Sequence, residues 1–192
     1  KSNSECIIPT ICWSTSLWPI IQAGLKPKFV DVDLKTFNID LNDLKKKITK
    51  KTKAIILVSP NGRFPKKNIE EYIKFCKKNK IFIIEDAAQS LGSFYADGNH
   101  IGTKGIVGSF SFSSQKIITT GQGGALITNS DNLAKKIRKL KDFGRSSGGN
   151  DIHNSIGFNF KFTELQSCIG LVQMKKLNKR VNLKKQIWKK YY

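Results

Sequence analysis

Two uninterrupted apolar segments constrain the fold of this chain more than any other feature. Residues 54–59 read Ala-Ile-Ile-Leu-Val-Ser, and residues 81–84 read Ile-Phe-Ile-Ile. A continuous apolar run is typical of a strand in a parallel sheet, where both faces are covered. Between the two runs, residues 67–79 repeat apolar side chains at helical spacing, namely Ile69, Tyr72, Ile73 and Cys76. A strand, a helix and a second strand in this order predict parallel pairing.

The same alternation continues over the rest of the sequence. Asp40 or Asn42 is a candidate N-cap for a short helix over residues 42–48. The predicted fold class is α/β, a mostly parallel sheet flanked by helices, whose ligands bind beyond the carboxyl ends of the strands. Further strands are predicted at residues 6–9, 28–33, 107–112 and 124–128, and further helices at residues 13–23 and 132–142 and from Thr163 onward.

Lys116 lies in an unusual setting for a lysine. It follows the predicted strand 107–112 and precedes a glycine-rich segment, residues 119–124, where the backbone can approach a ligand closely. Removal of the amine from water favours its neutral form, which is the form that attacks a carbonyl group. On this segment alone, the alternative is an ordinary lysine in a lysine-rich chain.

Asp86 ends the second apolar strand, directly after Glu85. A carboxylate at this position needs a cationic partner to stay charged, and the protonated pyridine nitrogen of pyridoxal phosphate is one such partner. The alternative is an aspartate that caps the following turn. Because Asp86 and Lys116 both fall at strand ends, the sequence predicts that they share one site.

The charge of the chain raises a second class of function. The formal net charge is +20, and all 34 basic residues except Arg63, Arg138, Arg145 and Arg180 are lysines. Nucleic-acid readout favours arginine, so solvated lysine faces are a better interpretation than a nucleic-acid-binding module. A surface of this charge would also attract anionic small molecules.

The spacing of the cysteines and the hydropathy of the chain bear on metal binding and on membrane insertion. Cys6, Cys12, Cys76 and Cys168 show no metal-binding spacing, so we predict reduced thiols and no metal site. No apolar stretch approaches the roughly 18 residues that cross a bilayer. We therefore expect a soluble, cytoplasmic protein without a membrane partner.

Seven segments resemble, in order and spacing, the nucleotide-sugar aminotransferases of the DegT/StrS type. These are pyridoxal phosphate-dependent transferases of fold type I, and the likeness runs over nearly the whole chain. The segments are Trp-Ser-Thr-Ser at 13–16, Phe-Val-Asp-Val-Asp at 29–33, Thr-Lys-Ala-Ile at 52–55, Glu-Asp-Ala-Ala-Gln at 85–89, Phe-Ser-Phe-Ser-Ser-Gln-Lys at 110–116, Gly-Gln-Gly-Gly at 121–124 and Gly-Phe-Asn-Phe-Lys-Phe-Thr-Glu-Leu-Gln at 157–166.

The resemblance implies a role for several residues. Lys116 matches the catalytic lysine that holds the cofactor covalently and shuttles a proton. Asp86 matches the partner of the pyridine nitrogen, Gln89 a residue near the phenolic oxygen, and Ser111 a ligand of the cofactor phosphate.

Three further residues match the faces and the far end of the cofactor. Trp13 matches an aromatic that stacks on the pyridine ring, and Ala88 would lie against the opposite face. Asn159 matches an asparagine that reaches the cofactor phosphate of the neighbouring subunit, which implies a homodimer with a shared active site. A core position for Trp13 and a turn position for Asn159 are the alternatives.

The implied reaction is a transamination in amino-sugar or polysaccharide biosynthesis. An amino donor, typically glutamate, would supply the amino group, and a keto sugar attached to a nucleotide would accept it. A related branch uses the same scaffold as a dehydrase and has histidine in place of the lysine. An inactive fragment is a further alternative.

The sequence also departs from the pattern of the family. Gln122 stands where glutamate is common, and Lys161 where arginine is common, which leaves the nearby substrate contacts open. Family members carry an N-terminal phosphate-binding turn and a C-terminal small domain. We therefore expect residues 1–192 to be an incomplete cofactor-binding large domain, with residues 163–192 as a long helix that leads toward an absent small domain.

Overall fold

The computed structural model describes residues 3–64, 69–145 and 151–191. Over these residues the strands are β1 Glu5–Pro9, β2 Lys26–Val30, β3 Thr52–Val58, β4 Phe82–Asp86, β5 Val107–Ser111 and β6 Gly124–Ile127. The helices are α1 Ser14–Gln22, α2 Leu41–Lys47, α3 Ile69–Lys78, α4 Asp131–Lys141, α5 Glu164–Lys175 and α6 Leu177–Tyr191, and a short 3-10 turn covers Pro60–Gly62.

The strands form one sheet in the order β2-β1-β3-β4-β5-β6. The first five strands are mutually parallel, with Ile7 opposite both Lys28 and Ile55, and Asp86 opposite both Val58 and Ser109. The predicted α/β class with a mostly parallel sheet is confirmed. Because the strands are parallel, their carboxyl ends meet at one edge of the sheet.

The two apolar segments from which parallel pairing was predicted, now β3 and β4, differ in how deeply their side chains are buried. In β3, residues 55–58 are all buried, as the continuous run predicts. In β4, Ile83 is buried and Ile84 is half-buried against the apolar core, but Phe82 at the start of the strand is 57% exposed. A continuous apolar run therefore did not reveal that β4 begins with an exposed side chain.

Helix ends follow local side-chain chemistry. Asp40 is the N-cap of α2, and its carboxylate accepts a hydrogen bond of 2.7 Å from the backbone N–H of Asp43. Thr163 and Gln166 form a reciprocal capping box at the start of α5. In α3, residues 69, 72 and 76 are buried, as their spacing predicts. The predicted start of that helix, at Lys67, lies outside the described residues.

The chain forms two compact units. The first comprises residues 1–111 and 124–126, and holds the sheet strands and a buried apolar core that includes Ile7, Ile8, Ile55 and Leu57. The second comprises residues 112–123 and 127–192. It contains α4, α5 and α6, all of which the structure describes, and none of their residues is buried.

The single long helix predicted from Thr163 is wrong. It is divided at Lys176, whose N–H bonds the Gln173 carbonyl at 3.0 Å, three residues back rather than four. Arg180 then donates to the Ile117 carbonyl at 2.8 Å and to the Gln173 side chain at 2.6 Å, which ties the first turn of α6 to residues before the break. No proline or glycine marks this position in the sequence.

A fully buried carboxylate organises the centre of the first unit. Glu85 on β4 is 0% exposed. Its Oε1 accepts hydrogen bonds from the Gly102 N–H at 2.9 Å and from the Tyr95 hydroxyl. Its Oε2 accepts bonds of 2.6 Å from the N–H groups of Lys104 and Gly105. A buried charge is tolerated when its oxygens are satisfied in this way.

The loop that supplies these donors has little freedom. Gly102 has φ +102°, and a Cβ there would lie 2.8 Å from the Phe110 ring, so only glycine fits. Burial, reinforced by the charge of Glu85, raises the pKa of Tyr95 and keeps its hydroxyl a donor. The Glu85 carboxylate thus joins β4 to the loop that leads into β5.

We predict that Glu85→Ala is strongly destabilising. The substitution leaves the three N–H groups at residues 102, 104 and 105 buried without an acceptor, so the free energy of unfolding should fall by about 3 kcal/mol or more. Urea titration of the two proteins measures the loss. Glu71→Ala, which removes an exposed carboxylate from α3, is the matched control and should change stability by less than about 0.5 kcal/mol. Equal effects of the two substitutions would contradict this role for Glu85.

A second prediction concerns Asp97. Hydrogen bonds from Lys104 and Asn99 lower the pKa of Asp97 to about 2, and Lys104 also pairs with Glu70 at 3.0 Å. A carboxyl whose folded pKa lies below its unfolded value of about 3.9 stabilises the protein above that value, and the stabilisation is lost as the pH falls through about 2. Wild type should therefore exceed Asp97→Asn in melting temperature at pH 6, and the two should converge near pH 2. A constant difference would contradict the assignment.

Candidate active site

Several of the predicted site residues lie at the carboxyl edge of the sheet in the first unit. Trp13 follows β1, Asp86 is the last residue of β4, and Ser111 is the last residue of β5. Ala88 and Gln89 lie in the turn that follows Asp86. The parallel topology brings these strand ends to one edge of the sheet.

Asp86 has a defined environment at that edge. Its Oδ2 accepts a 2.6 Å hydrogen bond from the Ser16 hydroxyl, and its Oδ1 accepts a 3.2 Å bond from the N–H of Ala88. The second bond is the turn-capping interaction considered as an alternative. The two interpretations are compatible, because a carboxylate has about four acceptor positions and these bonds use two of them.

Ser16 was missed by the sequence reasoning. It lies on α1 and is only 6% exposed. The available signal was its spacing, since Ser16 lies four residues before the buried Ile20 and therefore shares the inner face of α1. A hydroxyl on the apolar face of a helix needs a hydrogen-bond partner, and that partner is Asp86. The thiol of Cys12 is also influenced by Asp86. Burial and, to a smaller extent, the charge of Asp86 raise the pKa of this thiol.

The turn after β3 orients Gln89. The backbone N–H of Asn61, a residue with φ +52°, donates a 2.6 Å hydrogen bond to Gln89 Oε1. Because the amide oxygen is engaged, the amide nitrogen is the end that can donate to a ligand. The Gln89 side chain is exposed, and Ala88 and Ser111 are half-buried.

Trp13 is 71% exposed, so the alternative core position is wrong. Its backbone provides the N-cap of α1, and the N–H of Ser16 donates to its carbonyl at 2.9 Å. An exposed indole that is held by an ordered helix start offers a flat apolar face to a ring. Trp13 and Ser16 thus lie in the same first turn of α1.

Lys116 and Asn159 belong to the second unit. Lys116 is half-buried, and its N–H donates to the Ser113 carbonyl at 3.0 Å. The loop that carries it is closed at Phe112, whose N–H donates to Gly123 and whose carbonyl accepts from the N–H of Thr120. A short closed loop therefore restricts the backbone on both sides of Lys116.

The two residues that depart from the pattern of the family have structural contacts in the second unit. The Gln122 carbonyl accepts bonds from the Thr120 hydroxyl at 2.7 Å and from the Gln166 side chain at 2.8 Å. The Lys161 amine lies 3.7 Å from Asp142 Oδ1 and 4.5 Å from the centre of the Phe143 ring. The ammonium group of a lysine can make both of these contacts, so they do not require the planar guanidinium group of an arginine.

Asn159 lies in a short antiparallel bridge with Asp142 rather than in a turn, so the turn alternative is wrong. Its neighbours fix the register, because Phe158 donates to Leu140 at 2.7 Å and Phe160 donates to Lys141 at 2.9 Å. Its side chain is exposed.

The described residues contain neither a cluster of metal ligands nor a membrane-spanning helix. In residues 3–64, 69–145 and 151–191, no three histidine, cysteine, aspartate or glutamate side chains are grouped as metal ligands would be. Over the same ranges, no helix combines the length and the apolar character needed to span a bilayer.

Comparison with known proteins identifies the family. The model of the DegT/DnrJ/EryC1/StrS aminotransferase family matches residues 1–192. The chain belongs to this family. Among curated relatives of this aminotransferase-family chain, GDP-perosamine synthase of Escherichia coli O157:H7 is 35% identical over 187 residues, which are 97% of this chain and 50% of that protein.

Solved structures of related enzymes also resemble this chain. PseC of Helicobacter pylori, an aminotransferase involved in the biosynthesis of pseudoaminic acid, superposes with a TM-score of 0.84 at 32% identity, covering 91% of this chain and 47% of that one. A GDP-4-keto-6-deoxymannose-3-dehydratase with a trapped PLP-glutamate geminal diamine gives a TM-score of 0.84 at 32% identity, covering 93% and 50%. The chain spans about half the length of the curated relatives that it matches.

Proposed function

We propose that this protein is a pyridoxal phosphate-dependent aminotransferase that transfers an amino group from an amino acid, with glutamate as the expected donor, to a nucleotide-linked keto sugar. The observation that carries the proposal is Asp86, a carboxylate held by Ser16 and Ala88 at the carboxyl edge of the sheet. Family membership over residues 1–192 and the PLP-glutamate adduct in a solved relative support it.

The residues of the first unit fit the chemistry of the cofactor. When bound, pyridoxal phosphate withdraws electrons from the substrate carbon through its protonated ring. Asp86 would face the ring nitrogen, and the Gln89 amide nitrogen, left available by the bond from Asn61, would donate to the phenolic oxygen. Trp13 would cover one face of the ring and Ala88 the other. Ser111 would donate its hydroxyl to the phosphate.

Lys116 would bind the cofactor covalently and move a proton between the substrate and the cofactor. This residue favours transamination over the dehydrase alternative, since that branch has histidine at this position. The dehydratase relative matches as well as the aminotransferases, so the choice depends on Lys116.

The biological setting is part of the same proposal. We propose residues 1–192 as the cofactor-binding large domain of an enzyme of amino-sugar and polysaccharide biosynthesis in the cytoplasm. All four cysteines are free, which suits a reducing compartment. Burial raises the pKa of Cys6 and of Cys76 to about 11, so these two thiols stay protonated.

A homodimer with a shared active site also belongs to the proposal. Large apolar side chains are exposed along residues 152–174, and Leu165 on α5 is 80% exposed. A second copy would cover such a surface, and Asn159 lies within it. The other residues of this exposed apolar surface are Ile152, Ile156, Phe158, Phe160, Phe162, Ile169, Leu171, Val172 and Met174.

We predict that the product of the complete gene, mixed with pyridoxal phosphate, develops a visible absorption band. Borohydride should fix the cofactor to the tryptic peptide that contains Lys116, and Lys116→Ala should lose both signals because no other amine takes its place. Lys135→Ala, an exposed lysine on α4 in the same unit, is the matched control and should behave as wild type. A band that survives in Lys116→Ala would overturn the assignment.

We further predict that the active site is shared between two subunits. Leu165→Glu should shift the protein from dimer to monomer in sedimentation velocity, because it places a charge on the proposed apolar interface. Lys175→Glu, an exposed charge change on the same helix, should leave the dimer intact.

Mixed dimers give the decisive test of sharing. If Asn159 serves the partner's cofactor, inactive Lys116→Ala and Asn159→Ala chains should together regain roughly a quarter to a half of wild-type activity, since one of the two sites in each hybrid is intact. Absence of recovery, with hybrids present, would show that each subunit holds a complete site.

A further inference from the structure

The bond between Ser16 and Asp86 suggests a residue role beyond those assigned above. We propose that Ser16 is a positioning residue, which orients the Asp86 carboxylate toward the pyridine nitrogen of the cofactor and ties that orientation to the helix turn that carries Trp13. The inference rests on the proposed function, because it assumes that Asp86 faces the cofactor.

The geometry distinguishes this bond from ordinary helix packing. A serine in a helix usually returns its hydroxyl hydrogen to a carbonyl of the preceding turn. Ser16 instead donates to a residue 70 positions away, at 2.6 Å, a length typical of a hydroxyl bound to a charged oxygen. Ser16 is only 6% exposed, and a buried hydroxyl needs a hydrogen-bond partner within the protein, which here is Asp86.

Two donors from different elements fix the carboxylate. The Ala88 N–H holds Oδ1 from the turn after β4, and the Ser16 hydroxyl holds Oδ2 from α1. A single donor would leave the carboxylate free to rotate about the bond to its β-carbon. Two donors define its plane and leave acceptor positions for a cationic nitrogen. The thiol of Cys12 shares the surroundings of Asp86 but stays protonated, because burial and Asp86 raise its pKa.

The same helix turn positions two features of the site. Trp13 is the N-cap of α1, and its carbonyl accepts the backbone N–H of Ser16 at 2.9 Å. Trp13 would set the plane of a cofactor ring stacked on it. The same helix turn carries Ser16, which holds Asp86, the proposed partner of the ring nitrogen. This arrangement couples the tilt of the ring to the direction of the Asp86 carboxylate.

The experiment compares Ser16→Ala, Ser16→Thr and Ser14→Ala in the product of the complete gene. Ser14 lies in the same helix turn but is exposed, so Ser14→Ala is the matched control. The measurements are the dissociation constant for pyridoxal phosphate, the pH midpoint of the visible band of the bound cofactor, and the melting temperature of the cofactor-free protein.

We expect Ser16→Ala to weaken cofactor binding by about tenfold, the scale of one hydrogen bond to a charged group. We also expect the pH midpoint of the visible band to rise. A misdirected Asp86 keeps the ring nitrogen less protonated, and a less positive ring repels the proton on the lysine–cofactor nitrogen less. Ser16→Thr keeps the hydroxyl and should restore the wild-type midpoint, and Ser14→Ala should match wild type in all three measurements.

The outcomes separate this inference from the proposed function. If wild type shows the band, Lys116→Ala loses it, and Ser16→Ala has the wild-type midpoint and affinity, Ser16 has no positioning role although the enzyme assignment stands. A lower melting temperature in Ser16→Ala with an unchanged midpoint would show a purely structural serine and also overturn the inference. If wild type itself binds no cofactor, both proposals fail.

Discussion

A buried carboxylate on β4 is the interaction on which the rest of the first unit depends. Glu85 accepts three backbone N–H groups and one hydroxyl, so it sets the path of the loop between residues 95 and 105 and the approach of β5 to β4. Asp86 is the next residue along the strand and faces the other side of the sheet. The two adjacent carboxylates have different roles. The oxygens of Glu85 are fully hydrogen-bonded within the protein, whereas Asp86 keeps acceptor positions for a ligand.

The candidate site combines a rigid edge of the sheet with one helix turn. Parallel strands bring Trp13, Asp86 and Ser111 to the same edge, and α1 adds a hydroxyl that fixes the carboxylate. Such a site needs little rearrangement to accept a flat cofactor, since its polar groups already have defined partners. The second unit has a different character. Its helices bury no residue and present a broad apolar surface, which is the pattern of a segment completed by another surface.

Prediction succeeded where the information was local. Apolar periodicity located the strands and helices, Asp40 marked the start of α2, and family motifs indicated the residues at the sheet edge. It failed where distant contacts decided the outcome. At the helix break at Lys176, Arg180 reaches the carbonyl of Ile117, and Phe82 is exposed although its neighbours Ile81 and Ile83 are buried. Ser16 was missed for the same reason, since its partner lies 70 residues away.

The sequence by itself determined the fold class and supplied the candidate residues, because alternating apolar segments allow few arrangements and because Asp86, Lys116 and the glycines that follow Lys116 are recognisable from their order along the chain. Only the tertiary structure decided which carboxylate is buried as an anchor and which is available, and which hydroxyl holds it. Those outcomes depend on hydrogen bonds between elements far apart in the chain, and no local pattern of residues specifies the partner at the other end of such a bond.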